Sequence, residues 1–223
     1  FDKTEEILID LEKQHSEKIK VYKYIPVVYP PNSQGYLDTP EQSVHSLAYY
    51  YNFALSKTTK NYILKFDDDQ LYFKNILPSL KTELENEPDK CIGLRGINLF
   101  DYKENLFINK NTYYTSGRDI LLFKFNNSCV FRKSHNYEVF QSNHKLKKIV
   151  DCFYHLKQCK KDRGVNNYDL NENEKSRYLQ INKRHFENLN LINFEKTKYA
   201  IQSHPFTLGF QYVYNSEKNY NYE

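Results

Sequence analysis

The chain has 223 residues, enough for one domain with a sizeable hydrophobic core, and its formal net charge is only +4. Its 32 basic residues are spread along the sequence among 28 acidic ones, which argues against nucleic acid as the partner. No apolar run approaches the roughly 18 residues of a membrane span. None of the 4 cysteines lies in a close pair with metal-ligand spacing, so free thiols in a reducing cytoplasm are expected.

The first part of the chain alternates between helical and extended patterns. The predicted elements, in chain order, are a helix over residues 2–14, a strand over 18–24, a loop over 29–35 and a helix over 39–55. The second helix has the stronger start signal, because Thr39 is a good cap, Pro40 fits the first helical position and Gln42 completes a capping box.

A strand pattern at residues 61–66 then runs directly into the three carboxylates Asp67, Asp68 and Asp69. Adjacent like charges disfavour a continued strand, and Asp is depleted in strands. In an extended chain Asp67 and Asp69 point to one side and Asp68 to the other. The first and third carboxylates together suit a hard divalent cation. A solvated acidic turn is the alternative interpretation of the same residues.

The remaining patterns are weaker towards the end of the chain. The predictions are a helix over 75–86, a strand over 90–96, a small antiparallel section over 98–132, a helix over 146–154, a loop over 162–173, a helix over 174–188 and a strand or turn over 198–209. One face of the 146–154 helix carries lysines, for which solvated surface is the first interpretation and acidic lipid headgroups the second.

A strand, a helix and a second strand in this order predict a parallel unit within an α/β sheet. Ligands of such sheets bind beyond the carboxyl ends of the strands, which is where Asp67 to Asp69 fall. No internal repeat or linker divides the chain, so residues 1–223 are predicted to form a single domain.

Three stretches of the chain resemble the family 2 glycosyltransferases of the GT-A fold, particularly bacterial enzymes of surface-polysaccharide assembly. Asn52, Ala54 and Leu55 match the family's helix with an Asn, a small and an aliphatic residue. Asp67 follows Asn52 by fifteen positions and opens the Asp-x-Asp element of the family. The opening residues 1–7 look like the segment that follows the family's second strand.

This resemblance implies a mostly parallel sheet flanked by helices, with a small antiparallel section and a helical C-terminal part. It implies a donor and metal half over residues 1–100, an acceptor half over 101–223, and family strands that lie upstream of Phe1. Two features depart from the family. Tyr51 stands where an Arg is frequent, and the Glu-Asp dipeptide that often supplies the base is absent.

The resemblance also implies a set of site residues. Asp67, Asp68 and Asn52 are expected to bind the sugar nucleotide, and Asp69 is expected to bind Mg²⁺ or Mn²⁺ under its diphosphate, with help from Asp67. His204 is a candidate third metal ligand. The catalytic base is expected to be Asp119 or Glu138, since a carboxylate in reach of the acceptor hydroxyl can take its proton.

The expected activity is therefore sugar transfer from a nucleotide-sugar donor to a glycan or lipid-linked acceptor, with inversion. The cytoplasm is the expected location, with peripheral contact to the inner membrane and no nucleic-acid partner. Two alternatives stay open from the residues. One is another metal-dependent nucleotide enzyme of the nucleotidyltransferase type, and the other is a non-catalytic carbohydrate-binding module rich in Tyr.

Overall fold

A computed structural model describes residues 3–31, 33–73, 76–102, 105–109, 114–117, 120–135, 137–159, 191–193, 199–203 and 211–214. The helices are α1 (Thr4–Gln14), α2 (Gln34–Asp38), α3 (Leu47–Ser56) and α4 (Ile76–Glu85). The strands are β1 (Tyr62–Leu64), β2 (Gln70–Tyr72), β3 (Lys90–Tyr102), β4 (Asn105–Asn109), β5 (Ile120–Lys124), β6 (Val130–Lys133), β7 (Glu138–Gln141), β8 (Lys145–Gln158), β9 (Leu191–Asn193), β10 (Tyr199–Ser203) and β11 (Gln211–Tyr214). None of the described helices is long and apolar enough to cross a membrane.

The long strand β3 organises a seven-stranded sheet. One edge of β3 pairs with β5 and, further along, with β4, while its other edge pairs with β8. The sheet continues from β5 to β1, from β4 to β9 and from β8 to β2. The pairing of β3 with β8 is parallel, and the other pairings described in this sheet are antiparallel. The prediction of a mixed α/β fold is confirmed. The antiparallel part is larger than the small section that was expected, because five of the six pairings described in this sheet are antiparallel.

The two faces of the sheet bury different apolar clusters. On one face α4 packs on β3 and β5, with Leu84 and Ile92 fully buried. On the other face α3 and β6 cover the same strands, and Phe123 and Phe131 lie at the centre of that cluster. Successive residues of β5 alternate between the two clusters, as the period of two in a strand requires.

The strand predicted over residues 18–24 is wrong, because this segment has no strand partner among the described residues. Two of its side chains instead form hydrogen bonds with residues of the N-terminal part of the chain. The Lys23 ammonium donates to Glu5 of α1 over 2.7 Å, and the Tyr24 hydroxyl donates to the Val44 carbonyl. Strand β1, which precedes the three acids, pairs with β5 in antiparallel fashion, so the predicted parallel unit around the second helix does not form among the described residues.

The helix predicted over residues 39–55 begins later than expected, at Leu47. Thr39 lies at the carboxyl end of α2, where its hydroxyl donates to the Gly35 carbonyl, so it does not cap the following helix. The short helix α2 overlaps the predicted loop over 29–35. It is capped by Ser33, whose hydroxyl accepts the Tyr36 N–H over 3.1 Å.

The helix predicted over residues 146–154 is also wrong, since these residues form part of β8. Their spacing fits a helical stripe, but Ile149, Val150, Phe153 and Tyr154 are β-branched or aromatic residues that suit a strand. Parallel pairing with β3 and antiparallel pairing with β2 then decide the conformation. The lysines thought to form a helix face are paired with acids of α4, as Lys147 and Lys148 both contact Glu83.

Several other predictions are confirmed within a few residues. The helix over 2–14 appears as α1, the helix over 75–86 as α4, the strand over 90–96 as part of β3, and the final strand as β10. The four cysteines are free thiols, and burial raises the pKa of Cys152 to about 12. The predicted loop at 162–173 and the helix at 174–188 lie outside the described residues.

Candidate functional site

The three consecutive acids form a turn between two strands of the sheet. β1 ends at Leu64, the chain turns at Asp68 and Asp69, and β2 begins at Gln70. The prediction of an extended run with alternating side chains is therefore wrong, because repulsion between neighbouring carboxylates and the low strand propensity of Asp favour a turn. The turn does follow the carboxyl end of β1, as predicted.

The side chain of Asp67 is more exposed than that of Asp69. Its side chain is 47% exposed, and one carboxylate oxygen accepts from the Lys65 ammonium over 3.2 Å. The other oxygen accepts from the Gln70 amide over 3.4 Å. The Lys65 ammonium also lies 4.9 Å from the centre of the Tyr51 ring. A positive charge thus already borders the acidic turn and faces an aromatic surface.

Asp69 is held from the opposite side by β8. Its side chain is only 10% exposed, and Oδ1 lies 3.5 Å from Nε2 of His155. Its backbone carbonyl accepts the Leu156 N–H over 2.7 Å. The other ring nitrogen of His155 lies 2.7 Å from the side-chain amide of Asn98. The turn is therefore fixed at its β2 end through both backbone and side chain.

A cavity of about 440 Å³ lies between α3 and the β1 edge of the sheet. Asp67 and Asp68 line it, together with Lys65 of the same segment. Apart from Thr58, the rest of the wall is aromatic or apolar and consists of Tyr50, Tyr51, Ala54, Leu55, Ile63, Leu64, Phe66, Phe123 and Phe131. This combination of a largely apolar wall and a few charged groups is typical of small-molecule sites. Asp68, which an extended chain would aim to the opposite side from Asp67, thus lines the cavity beside Asp67, whereas Asp69 does not line it.

Asn52 does not line this cavity. Its amide binds the backbone of Phe131 at both ends, with Nδ2 donating to the carbonyl and Oδ1 accepting the N–H, each over 2.8 Å. The side chain thereby joins α3 to β6. The expected contact between Asn52 and a sugar nucleotide stays a prediction. The contact that is observed is the one between Asn52 of α3 and Phe131 of β6.

Glu138 is the first residue of strand β7. It pairs in register with Lys133 of β6. Its carboxylate lies near the Tyr36 hydroxyl, whose pKa rises to about 12 because of burial and, secondarily, because of the negative charge of Glu138. Glu138 is not among the cavity-lining residues. Its role as a base remains a prediction, and Asp119 and His204 lie outside the described residues.

The donor chemistry of the acidic turn fits a hard divalent cation. Within the described residues, no three His, Cys, Asp or Glu side chains come together in a way that could hold a metal by themselves. Mg²⁺ is commonly held by one or two carboxylates, with phosphate oxygens and water completing its shell. Asp67 and Asp68 supply carboxylates of this kind at the cavity wall, whereas Asp69, the expected direct metal ligand, is not among the residues that line it.

Two polar residues at this site, His155 and Asn98, were not predicted from the sequence. They would have emerged only from treating 145–158 as a strand, because that strand carries His155 beside the acidic turn. Comparison with protein-family models, with curated proteins and with solved structures finds no match to this chain.

Proposed function

We propose that this chain is a metal-dependent glycosyltransferase that moves a sugar from a nucleotide-sugar donor to a glycan or lipid-linked acceptor. One observation carries the proposal: an acidic turn at the carboxyl end of β1 borders a 440 Å³ cavity with an aromatic and apolar wall. A nucleotide sugar has both chemistries that such a site can bind, a diphosphate for charged groups and flat or apolar faces for aromatic rings. The GT-A resemblance of the sequence agrees with a mixed α/β sheet.

In this proposal the acids of the turn hold Mg²⁺ or Mn²⁺ against the donor diphosphate. The cation supplies Lewis-acid stabilisation of the charge that develops on the leaving nucleoside diphosphate. Asp67 and Asp68 border the cavity, and Lys65 adds a positive charge beside Asp67. The expected direct ligand is Asp69, and His204 stays a candidate third ligand.

The reaction itself is proposed as a single inverting displacement. The acceptor hydroxyl oxygen forms a bond to the anomeric carbon as the bond to the diphosphate oxygen breaks. A carboxylate takes the hydroxyl proton, for which Asp119 and Glu138 are the proposed bases. Replacing each of these by its amide is expected to lower turnover about a hundredfold or more at one of the two positions.

The test is release of nucleoside diphosphate from a panel of nucleotide sugars, with Mg²⁺, with Mn²⁺ and with a chelator. We expect release that requires metal, loss of most of it in Asp69→Asn, and parent-like release in the control Asp89→Asn, whose side chain is 68% exposed and pairs with Lys90. Normal metal binding and transfer by Asp69→Asn would contradict the proposal.

The same assay separates the two alternatives. Release of pyrophosphate from nucleoside triphosphates would indicate a nucleotidyltransferase. Binding of glycans without any metal-dependent turnover of donors would indicate a carbohydrate-binding module. A cytoplasmic enzyme at the inner membrane is the cellular setting in which a nucleotide-sugar donor and a lipid-linked acceptor meet, and this location is part of the proposal.

A further inference from the structure

Aromatic side chains in contact with one another lead from the cavity to the outer surface of α3. Tyr51 and Tyr50 line the cavity, and their ring centres lie 5.6 Å apart. The Tyr24 ring lies 5.2 Å from that of Tyr50, and the Phe53 ring lies 4.9 Å from that of Tyr24. One further ring completes this set, which we call the aromatic row; its members, from the cavity outwards, are Tyr51, Tyr50, Tyr24, Phe53 and Tyr22.

The outer end of the aromatic row carries a positive charge. The Lys57 ammonium lies 4.7 Å from the centre of the Phe53 ring and 5.6 Å from the centre of the Tyr22 ring. Tyr22 is 52% exposed, and Lys57 is exposed as well. Among the residues that the structure describes, no acid forms an ion pair with Lys57. An unpaired cation and an accessible ring therefore lie side by side.

The charges along α3 and its flanks favour an anionic ligand. Residues 42–66 contain no acid, and apart from His45 their charged side chains are Lys57, Lys60 and Lys65. Lys65 pairs with Asp67 at the acidic turn. Lys57 is consequently the cation of this stretch that borders the aromatic row and has no acid to neutralise it.

The inner part of the aromatic row is fixed before any ligand binds. The Tyr24 hydroxyl donates to the Val44 carbonyl over 2.7 Å, and its ring packs between those of Tyr50 and Phe53. Rings held in this way lose little conformational freedom when a ligand stacks on them. The Tyr22 ring, whose described ring contact is the one with Lys57, extends this fixed surface outwards.

A sugar chain has the chemistry that matches this surface. The C–H face of a sugar ring stacks on an aromatic ring, while the sugar hydroxyls stay available to water and to the polar tips of tyrosines. Lys57, the C-cap of α3, follows Tyr50 by two helical turns, which is about 10 Å along the helix axis. A ligand that contacts both ends is therefore longer than one sugar. A carboxylate on it gains a charge-assisted contact with the Lys57 ammonium.

We propose that the aromatic row binds an acidic oligosaccharide that leads into the cavity, with Lys57 contacting a carboxylate of that oligosaccharide. This inference rests on the proposed function, because it names an acidic glycan as the acceptor class of the same site. The sugar at Tyr50 lies nearest to the cavity, and the sugars further from the site of transfer lie along Phe53 and Tyr22.

Two exposed positions test this site and leave the inner rings in place. Tyr22→Ala removes the outer ring, whereas Tyr22→Phe keeps the ring and loses only the hydroxyl. Lys57→Gln removes the positive charge. Tyr137→Ala is the matched control, because Tyr137 is 57% exposed, precedes β7 and is not part of the aromatic row.

The experiment titrates the full chain with oligosaccharides in the absence of metal and of nucleotide sugar. Oligogalacturonic acid and oligosialic acid are the acidic probes, and maltodextrin and cellodextrin are the neutral ones. An oligothymidylate is included, because aromatic rings beside a cation also stack with the bases of single-stranded nucleic acid. We expect binding of at least one acidic probe, with higher affinity than that of either neutral probe.

The variants are expected to differ in a defined order. Tyr22→Ala should weaken binding of the acidic probe about three- to tenfold, because one stacking ring is lost. Tyr22→Phe should stay within about twofold of the parent. Lys57→Gln should weaken the acidic probe about two- to fivefold and leave the neutral probes unchanged. Tyr137→Ala should bind like the parent, and the thermal stability of all four variants should stay close to that of the parent.

The inference is overturned if the parent binds neither acidic probe, or binds acidic and neutral probes equally. Parent-like affinity in both Tyr22→Ala and Lys57→Gln overturns it as well, as does tighter binding of the oligothymidylate than of any glycan. If the variants lose glycan affinity but the parent releases no nucleoside diphosphate from any donor, this site stands and the proposed function fails. If metal-dependent release occurs while both variants keep the glycan affinity of the parent, only this inference fails.

Discussion

The Asn52 side chain and the Phe131 backbone form two hydrogen bonds of 2.8 Å each. One amide on α3 therefore satisfies both the N–H and the carbonyl of a residue in β6. This contact links two elements that are distant in sequence. It also lies directly behind the cavity, because Phe131 is part of the cavity wall. The geometry of the wall thus depends on a side chain that does not itself face the cavity.

The first prediction concerns this contact. Asn52→Ala should lower the free energy of unfolding by about 1–3 kcal/mol, because the half-buried N–H and carbonyl of Phe131 lose their partners. Denaturant unfolding measures the change. Asn52→Asp is the comparison variant, since it keeps an acceptor for the Phe131 N–H but sets a carboxylate oxygen against the Phe131 carbonyl. It should therefore not restore stability at neutral pH and should cost less at low pH, where a protonated carboxyl can donate to that carbonyl. The same cost at both pH values would count against this interpretation.

A second prediction concerns Lys65, whose ammonium lies 3.2 Å from Asp67 and whose side chain is 20% exposed. Lys65→Gln should strengthen Mn²⁺ binding in the absence of nucleotide by about two- to fivefold, because a competing positive charge of modest effect is removed. The same change should weaken binding of a nucleotide sugar, since its diphosphate loses a cation. Titration calorimetry measures both affinities, and shifts of the same sign would contradict the proposed site.

The third prediction concerns pH and the ion pairs between α4 and β8. Hydrogen bonds from Lys147 and Lys148 hold the pKa of Glu83 below its usual value. Because this pKa is lower in the folded chain than in the unfolded chain, the ion pairs stabilise the fold fully above the ordinary carboxyl pKa. This stabilisation is lost as the pH falls from the ordinary carboxyl pKa through the lowered pKa of the folded chain. The stability difference between the parent and Glu83→Gln should therefore be larger at pH 7 than at pH 3.

A double-mutant cycle with Lys147→Gln isolates this pair, whose charged atoms lie 2.8 Å apart. The coupling should be larger at pH 7 than at pH 3. It should also weaken in high salt, because both side chains reach solvent. A coupling that is the same at both pH values would show that the contact does not depend on the charge of the Glu83 carboxylate.

The fourth prediction compares two leucines in helices. Leu84 of α4 is fully buried, whereas Leu8 of α1 is 40% exposed. Leu84→Ala should cost about 2–5 kcal/mol, because it leaves a cavity between α4 and the sheet. Leu8→Ala removes the same atoms from a solvated surface and should change stability by about 0.5 kcal/mol or less. A large effect at Leu8 would mean that another surface covers α1 in solution.

Sequence patterns predicted an element correctly where its packing in the fold favours the same conformation as its own residues do. α4 has a clear apolar stripe, and Leu80 and Leu84 bury it against the sheet. The acidic turn was predicted to follow a strand because a change from apolar alternation to like charges is visible in any single sequence. The start of α3 was misplaced, since Thr39 has the sequence signals of an N-cap but lies at the carboxyl end of α2 in the fold.

The site could be predicted only in part. All three acids were candidates from the sequence; Asp67 and Asp68 line the cavity, whereas Asp69, the expected direct metal ligand, does not. His155 was not identified, because its segment has a helical apolar spacing and becomes a strand through pairing with β3 and β2. Long-range pairing of this kind leaves no local signature, and the partners of Asp69 depend on it.

The order of the strands also bears on how the chain reaches this state during synthesis. β3 and β8 are neighbours in the sheet, yet β4, β5, β6 and β7 are all translated between them. Contacts so far apart in sequence form slowly, because the intervening chain must first be closed into a loop. The cavity wall is complete once β6 has left the ribosome, whereas Asp69 gains His155 only after β8. A nascent chain should therefore form its apolar pocket before the pairing of β8 with β2 and β3 fixes the acidic turn at its other end.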